Sequence, residues 1–397
     1  MNMTELPRLV LKSGHERRLR AGSPWVFANE VQMTDEVKAL PPGSLVKLAL
    51  PAGRLYGVAQ VNPHSLIVAR LLTRNHETAI DTGFFERRIG RALALRTALV
   101  DPRFCRLVHG EGDFLPGLTV DRFGDVVVVQ PNTAGMDRSL DDVLSALERL
   151  LAPQGIVVRL DSHGRQLEGL ASLPPRIEGT VDVPLAVDEA GVTFLADPIG
   201  GQKTGWFFDQ RPNRDLVAKL APGRRVLDLF SYAGGFALRA AAAGALHVHA
   251  IDRAAPALDL LRASAAQNGL AGKVEISKGD VLESLGKLTA AKARFDVVIA
   301  DPPPYAPAKK DVPVALKGYR KLARAAAGVV AQDGFLAIAS CSHHVDHDAL
   351  LQATFAGLRE AGRGARLLAT GGAGPDHPIH PALPETRYLT FFLFALD

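Results

Sequence analysis

Arg225-Val226-Leu227-Asp228-Leu229-Phe230-Ser231-Tyr232-Ala233-Gly234-Gly235-Phe236 is the stretch on which the fold turns. Its first half is apolar with a single acid, its second half carries adjacent glycines, and an alanine-rich run follows. That order predicts a strand, a tight turn and a helix. Glycines let the backbone pass close to a bound small molecule, and an acid at a strand end can receive that molecule's polar groups. A second strand is expected over 247–251, ending in Asp252, 24 residues after Asp228. A carboxylate roughly 20 residues on suits ribose hydroxyls.

Nicotinamide and flavin enzymes also use a ribose-binding acid at this place. Their Gly-x-Gly-x-x-Gly turn admits a pyrophosphate onto the helix N-terminus, whereas here Gly234 and Gly235 are adjacent and Phe230 and Tyr232 are bulky. S-adenosylmethionine has no phosphate to cradle, so it is the cofactor this turn favours, with Asp228, Phe230, Ser231, Tyr232, Gly234 and Asp252 as its expected contacts. Taken alone, the segment also fits a glycine turn that serves only strand-helix packing.

Further along, 273–277 reads as a third strand, and Gly279-Asp280 places another acid at the same edge, suited to an adenine amino group. A fourth strand, 295–300, runs into Asp301-Pro302-Pro303-Pro304-Tyr305. Three consecutive prolines end any ladder and stiffen the chain. Such a turn can hold Asp301 against the edge of a planar base while Tyr305 stacks nearby; the plainer reading of Asp301 is a helix cap or turn acid. Strand five, 334–339, leads into Ser340-Cys341-Ser342, and the next helix is expected to start after Asp346 as N-cap, with Leu350, Leu351 and Phe355 inward. In an open parallel sheet the ligand crevice lies outside the carboxyl ends of the strands, so neighbouring fourth and fifth strands would put Asp301 and Cys341 on one rim. A cysteine elsewhere is usually inert core; here a nucleophile is the better reading. His343, His344 and His347 with Cys341 also resemble a zinc cluster. That reading is set aside, because Cys341 has no second cysteine near it and ligation would consume the nucleophile.

With these segments in order, the chain resembles the 23S ribosomal RNA cytosine-5 methyltransferases, class I enzymes with an N-terminal PUA domain. The resemblance covers nearly the whole length. It is carried by 201–211 (Gly-Gln-Lys-Thr-Gly-Trp-Phe-Phe-Asp-Gln-Arg), which leads into the methyltransferase domain, and by the turn from Val226 to Phe236. Asp301 to Tyr305, Ser340-Cys341-Ser342 and Asp376-His377-Pro378 complete it. It implies a positioning role for Asp301, a nucleophile at Cys341 and a 23S rRNA substrate, with an unpaired cytosine as the expected target. Many RNA cytosine-5 methyltransferases carry a second cysteine in the Asp301 segment, where this chain has prolines, so the base that strips the carbon-5 proton is not assigned. His343, His344 and His377 are candidates.

Carbon 5 of cytosine is a poor nucleophile. A thiolate adding to carbon 6 creates an enamine that can attack a sulfonium methyl, splitting one hard step into easier ones. Two other functions stay open: methylation of an exocyclic base amine through the Asp301–Tyr305 element, and a non-catalytic RNA-binding or assembly factor.

Composition agrees with an RNA-modifying enzyme of the cytosol. The chain has 397 residues and a net charge of +4, which permits a polyanionic partner. Only Cys105 and Cys341 occur, and neither a leader nor a long apolar span stands out, so no disulfide framework and no membrane contact are expected. A homodimer is left open. The first 75 residues hold ten basic against five acidic side chains, Glu5 among the latter, and strand-like runs over 43–50, 55–61 and 65–72. A small basic β-barrel follows, and its Gly14–Phe27 opening resembles a PUA domain, which makes Arg17, Arg18 and Arg20 expected phosphate contacts. A solvated charged face is the usual fate of such a run.

The whole is expected to be α/β. It comprises a PUA-like domain over 1–75, a central α+β domain over 78–190, and a Rossmann-like seven-stranded methyltransferase domain over 191–397. The middle part should hold helices over 84–100 and 140–151, paired strands over 107–130 with hairpin turns at 110–118, and a strand over 156–160. Pro174-Pro175 and Gly191 serve as boundary marks. The last strand, 388–395, should pair antiparallel with 365–369. The segment 202–214 should fold over the cofactor, where Lys203 and Arg211 meet its carboxylate, Gln210 being counted with them; surface ion pairing explains the two cations almost as well.

Overall fold

The structure, a computed structural model, describes residues 6–397; the first five positions of the expected 1–75 domain lie outside it. The chain packs as two units. One comprises residues up to Val183 together with Pro198–Thr204 and Pro375–Thr386, and the other comprises Pro184–Asp197, Gly205–Gly374 and Arg387–Asp397.

The first unit opens with β1 (Arg8–Val10), β2 (Trp25–Val26), β3 (Ser44–Ala49), β4 (Leu55–Val61) and β5 (Ala69–Thr73), joined in the order β1-β3-β4-β5-β2. Alternation along the strands sends Val46, Leu48, Ala59 and Val61 into one core with Leu9 and Val26. The third expected strand begins later than 65, because the Asn62 amide closes a turn onto the Val68 carbonyl at 2.8 Å. Between β1 and β2 lies α1 (Arg17–Arg20), a single turn burying Leu19, and α2 (Asp35–Lys38) follows β2.

A second sheet in this unit runs β10-β9-β8-β7-β6, from β6 (Phe104–His109), β7 (Leu118–Phe123), β8 (Val126–Pro131), β9 (Gly155–Leu160) and β10 (Leu173–Gly179). Helices α3 (Thr82–Leu99) and α5 (Leu140–Leu151) cover it through Phe85, Ile89, Leu144 and Leu147, while the short α4 (Ala134–Arg138) and α6 (His163–Leu167) flank them. Pro174-Pro175, read as a boundary mark, lies inside β10. That strand is the sheet edge and shifts register between Leu173 and Arg176, where missing N–H donors cost nothing. The expected turns at 110–118 are one turn of 3₁₀-helix, Gly110–Asp113, linking β6 to β7.

The second unit begins with a hairpin, β11 (Leu185–Glu189) and β12 (Val192–Ala196), turned at Gly191. Its main sheet comprises β13 (Arg225–Leu229), β14 (His247–Asp252), β15 (Val274–Lys278), β16 (Phe295–Ala300), β17 (Val330–Ser340), β18 (Ala365–Gly371) and β19 (Thr390–Leu396). The order is β15-β14-β13-β16-β17-β19-β18; the first five strands pair in parallel, and β19 enters antiparallel between β17 and β18. Between strands run α7 (Arg211–Ala218), α8 (Gly235–Ala242), α9 (Ala255–Gln267), α10 (Val281–Ala290), α11 (Val312–Ala327) and α12 (His347–Glu360). Strand order reverses between β13 and β16, the place where open α/β sheets leave a crevice. Among the described residues no helix is long and apolar enough to cross a membrane.

Candidate cofactor and catalytic site

After β13 the backbone makes three left-handed steps, at Phe230 (φ +62°), Tyr232 (+48°) and Gly234 (+84°). Two of these residues are not glycine, and such conformations persist only where the surroundings enforce them. Here the enforcement is visible: the Ser231 amide donates to the Ile251 carbonyl at 3.1 Å, the Tyr232 amide to Asp252 Oδ2 at 2.9 Å, and the Gly234 amide to the Ser231 carbonyl at 2.8 Å. A Cβ at Gly234 would overlap the Leu261 side chain of α9, so glycine is required there twice over.

Asp228 is 1% exposed. One carboxyl oxygen accepts the Ala237 amide of α8 at 2.9 Å, and the other is buried with no partner, as is the Ser231 hydroxyl. Burial drives the Asp228 pKa well above the ordinary carboxylate range, and Asp301 and Asp252 add like charge, while the Ala237 bond pulls the other way. Asp252 engages both oxygens, one with Tyr232 and one with the Ala254 amide at 2.8 Å, so it clamps two strand ends together. Asp280 is exposed and caps α10 by accepting the Glu283 amide at 3.1 Å.

The segment before α7 contributes a buried polar knot. Gln210, 3% exposed, donates from Nε2 to Asp301 Oδ2 at 2.9 Å and accepts the Asn213 amide group at 2.7 Å. Asp209 accepts the Tyr388 hydroxyl at 2.5 Å. Arg214 forks onto Glu189 of β11 at 2.7 and 2.5 Å and donates to the Phe207 carbonyl at 2.9 Å, and Arg211 reaches the same Glu189 at 3.5 Å. Burial works against the Glu189 charge, yet the two arginines outweigh it and hold its pKa below the usual value.

At the β16 and β17 ends, Asp301 and Cys341 follow two hydrogen-bonded parallel strands. Cys341 is half-buried and in no disulfide. Its neighbours are fixed by Tyr319 of α11, whose hydroxyl shares hydrogens with Ser340 Oγ at 2.7 Å and Ser342 Oγ at 3.1 Å. Ser342 Oγ also accepts the Tyr305 amide at 3.1 Å. The Tyr305 ring lies 4.8 Å from that of Tyr319, and burial pushes its phenol up to about 12, with Tyr319 and Asp280 adding to the shift.

The family pattern of S-adenosylmethionine-dependent methyltransferases matches residues 106–365, and that of PUA-like domains matches 9–74. The first spans well over half of the chain. This chain belongs to the S-adenosylmethionine-dependent methyltransferases. Relatives include "Ribosomal RNA large subunit methyltransferase I" of Shewanella denitrificans, 34% identical over 96% of this chain and 97% of the relative. The protein of that name from Klebsiella pneumoniae is 33% identical over 97% of each chain. Among solved structures, a SAM-dependent methyltransferase from Streptococcus mutans superposes with a TM-score of 0.81 at 20% identity, covering 98% of this chain and 100% of that one. A methyltransferase solved in complex with SAH superposes with a TM-score of 0.82 at 21% identity, with the same coverage. The expected architecture, a seven-stranded α/β methyltransferase fold with a PUA-like N-terminal part, is the one observed.

The methyltransferase presents residues that fit its cofactor. Asp228 and Ser231 offer buried polar atoms without protein partners, at the start of the left-handed turn. The second unit gathers Asp228, Phe230, Ser231, Tyr232, Gly234, Asp252, Asp280, Asp301, Gln210, Arg211, Tyr305 and Cys341. Lys203 is exposed in Pro198–Thr204, which packs with the first unit. His377 also belongs to the first unit, buried, with its Nδ1 2.9 Å from Asp376 and its ring 5.0 Å from that of His109. His343 and His344 are exposed beyond β17. Arg17, Arg18 and Arg20 are exposed on α1; Arg18 lies 3.6 Å from Glu30, and Arg20 lies 3.7 Å from Glu16. Sequence reasoning missed Glu189, Arg214, Asn213 and Tyr319. No local motif announces them, since each is defined by a partner distant along the chain.

Proposed function

We propose that this methyltransferase forms 5-methylcytosine in the large-subunit ribosomal RNA, 23S rRNA, through a covalent adduct at Cys341, acting in the cytoplasm. The carrying observation is that Cys341 and Asp301 directly follow adjacent parallel strands at the carboxyl edge, beside the strand that carries Asp228. The names of the relatives support the substrate, as do the PUA-like part and its exposed Arg17, Arg18 and Arg20. We divide the chain into a PUA-like domain over 1–75, a central domain over 78–190 and a catalytic domain over 191–397.

In this reading the target base is splayed out of its stack and its edge is held by Asp301, itself oriented by Gln210. The Cys341 thiolate adds to carbon 6, and the carbon 5 so activated takes the methyl group. S-adenosylmethionine supplies that methyl from its sulfonium. A base then removes the carbon-5 proton, and the Cys341–carbon 6 bond breaks to release the thiolate. Asp228, Ser231 and Asp252 hold the cofactor's polar groups, with Phe230, Tyr232 and Gly234 shaping its seat and Asp280 and Arg211 at its margin.

RNA carrying 5-fluorocytosine tests this, because fluorine at carbon 5 blocks the last step. Wild-type protein should form a stable adduct with it, and Cys341→Ser should form none. Full methyl transfer by Cys341→Ser removes the adduct reading and leaves amine methylation at the Asp301–Tyr305 element. Cofactor binding without transfer to any RNA would favour a binding factor.

A further inference from the structure

The 3₁₀ turn between β6 and β7 carries a side chain that the proposed chemistry does not use. Asp113 at its end forks onto the buried Arg96 at 2.6 and 2.7 Å, and Leu115 is fully buried. Between these two anchors Phe114 takes a left-handed backbone, φ +59°. Glycine or asparagine would adopt that conformation with less strain. A phenylalanine compensates strain only by burying its ring, and Phe114 is 54% exposed. The fold therefore explains the backbone but not the aromatic ring.

One cation and one imidazole border that ring. Arg88 of α3 sets its guanidinium 5.5 Å from the Phe114 centroid and 5.4 Å from that of Phe84. His380 meets Phe114 edge-on at 5.7 Å. Arg91, one helical turn from Arg88, shares its face, and burial followed by the Arg91 charge lowers the Arg88 pKa. Among the described residues neither arginine is within ion-pair distance of a carboxylate. Like charges at this spacing disfavour a helix unless an anion joins them. The nearby Glu111 is engaged by Trp25 Nε1 at 2.8 Å.

We propose that Phe114, Arg88 and Arg91 form a seat for an unpaired RNA nucleotide, its base stacked on the Phe114 ring and its phosphate against the two arginines. Arg88 also donates to the Leu72 carbonyl at 3.1 Å, which leaves its charge without a carboxylate partner. An exposed ring beside such cations is what single strands bind, since every base offers a π-face and every linkage an anion. The inference rests on RNA being the substrate, and its test separates the two.

The probe is a fluorescent single-stranded oligoribonucleotide of mixed sequence, titrated into the full chain by anisotropy, with a duplex of equal length for comparison. Phe114→Asn keeps a residue suited to the left-handed turn, so the protein should melt no lower than wild type. Its affinity for the single strand should fall about tenfold, and Phe114→Trp should restore it. Arg91→Gln should flatten the salt dependence of binding by about one unit of slope. Unchanged affinity in Phe114→Asn, as a protein-docking patch would give, overturns the seat. If that variant binds RNA normally while wild type methylates it, only the seat falls. If binding depends on Phe114 while wild type methylates no RNA, the seat stands and the reaction does not.

Discussion

Arg96 in the first unit is 0% exposed and Asp228 in the second is 1% exposed, and their surroundings differ in kind. Arg96 spends its donors inside the fold: two on Asp113, one on the Arg106 carbonyl at 2.9 Å and one on the Asp376 carbonyl at 2.8 Å. Arg106 is paired likewise with Asp121. Asp228 has one bond, from Ala237, and a second oxygen with nothing to accept. A buried charge answered by its own chain is architecture. A buried carboxyl oxygen left unanswered beside an equally unanswered hydroxyl, as at Asp228 and Ser231, is where a ligand can complete the structure, because orphaned groups are costly.

The sharpest way to break that contrast is to unpair the first cluster. Arg96→Met leaves the Asp113 charge with only the His109 amide, at 2.6 Å, and two carbonyls facing hydrocarbon, and removing one partner of a buried pair costs about 3–5 kcal/mol. Chemical denaturation should show a midpoint lowered accordingly. A loss under about 1 kcal/mol would mean that Asp113, without Arg96, is not left as an uncompensated buried charge.

Asp228→Asn should move stability the other way. Because the folded state raises this carboxyl's pKa, folding favours its protonated form. Its contribution is fully present below the unfolded value near 3.8 and is lost as pH rises through the folded one. The amide variant escapes that loss, so it should equal wild type in acid and exceed it by about 1–3 kcal/mol at neutral pH. Cofactor affinity, read by calorimetry, should fall in the same protein. A variant that lost both stability and affinity would place Asp228 with Arg96 among the structural charges.

The same contrast explains what could be read from sequence. Strands β13, β16 and β17 were legible because each carries an apolar run ended by a turn signal, and Asp346 does cap α12 as its side chain suggests, accepting the Asp348 and Ala349 amides at 2.9 and 3.2 Å. The placement of Asp228, Asp301 and Cys341 at the carboxyl ends of β13, β16 and β17 was legible because each closes such a run. Illegible were pairs set by tertiary approach. Glu189 and Arg214 are 25 residues apart, and Gln210 and Asp301 are 91 apart. Nor does composition say that Pro375–Thr386, flanked by strands of the second unit, packs with the first. Asp252 and Asp280 stand where the spacing puts them, and their further duty was not legible: they also accept backbone amides of a turn and a helix cap.

Tyr319 offers the finest test of how a site is held. Its hydroxyl ties Ser340 to Ser342 on either side of Cys341, and Ser342 in turn holds the Tyr305 amide that follows the proline turn. Burial raises the phenol's pKa, and the Cys341 charge adds to the shift although both serine bonds oppose it, so the group stays a neutral donor through mildly alkaline pH. Tyr319→Phe keeps the ring in the α11 core and removes only that donor. Ser342 can still send its amide to Ser340 Oγ at 3.2 Å, so the strand end should loosen rather than collapse. The expected cost is about 1 kcal/mol. Trapping with 5-fluorocytosine RNA should slow by about fivefold, with KM for the cofactor unchanged and the ratio to wild type constant across neutral pH. A slope in that ratio would mean that the phenol takes part in ionising the thiol. A wild-type trapping rate would mean that main-chain bonds alone present Cys341, and the serine pair would then belong with Arg96 as architecture.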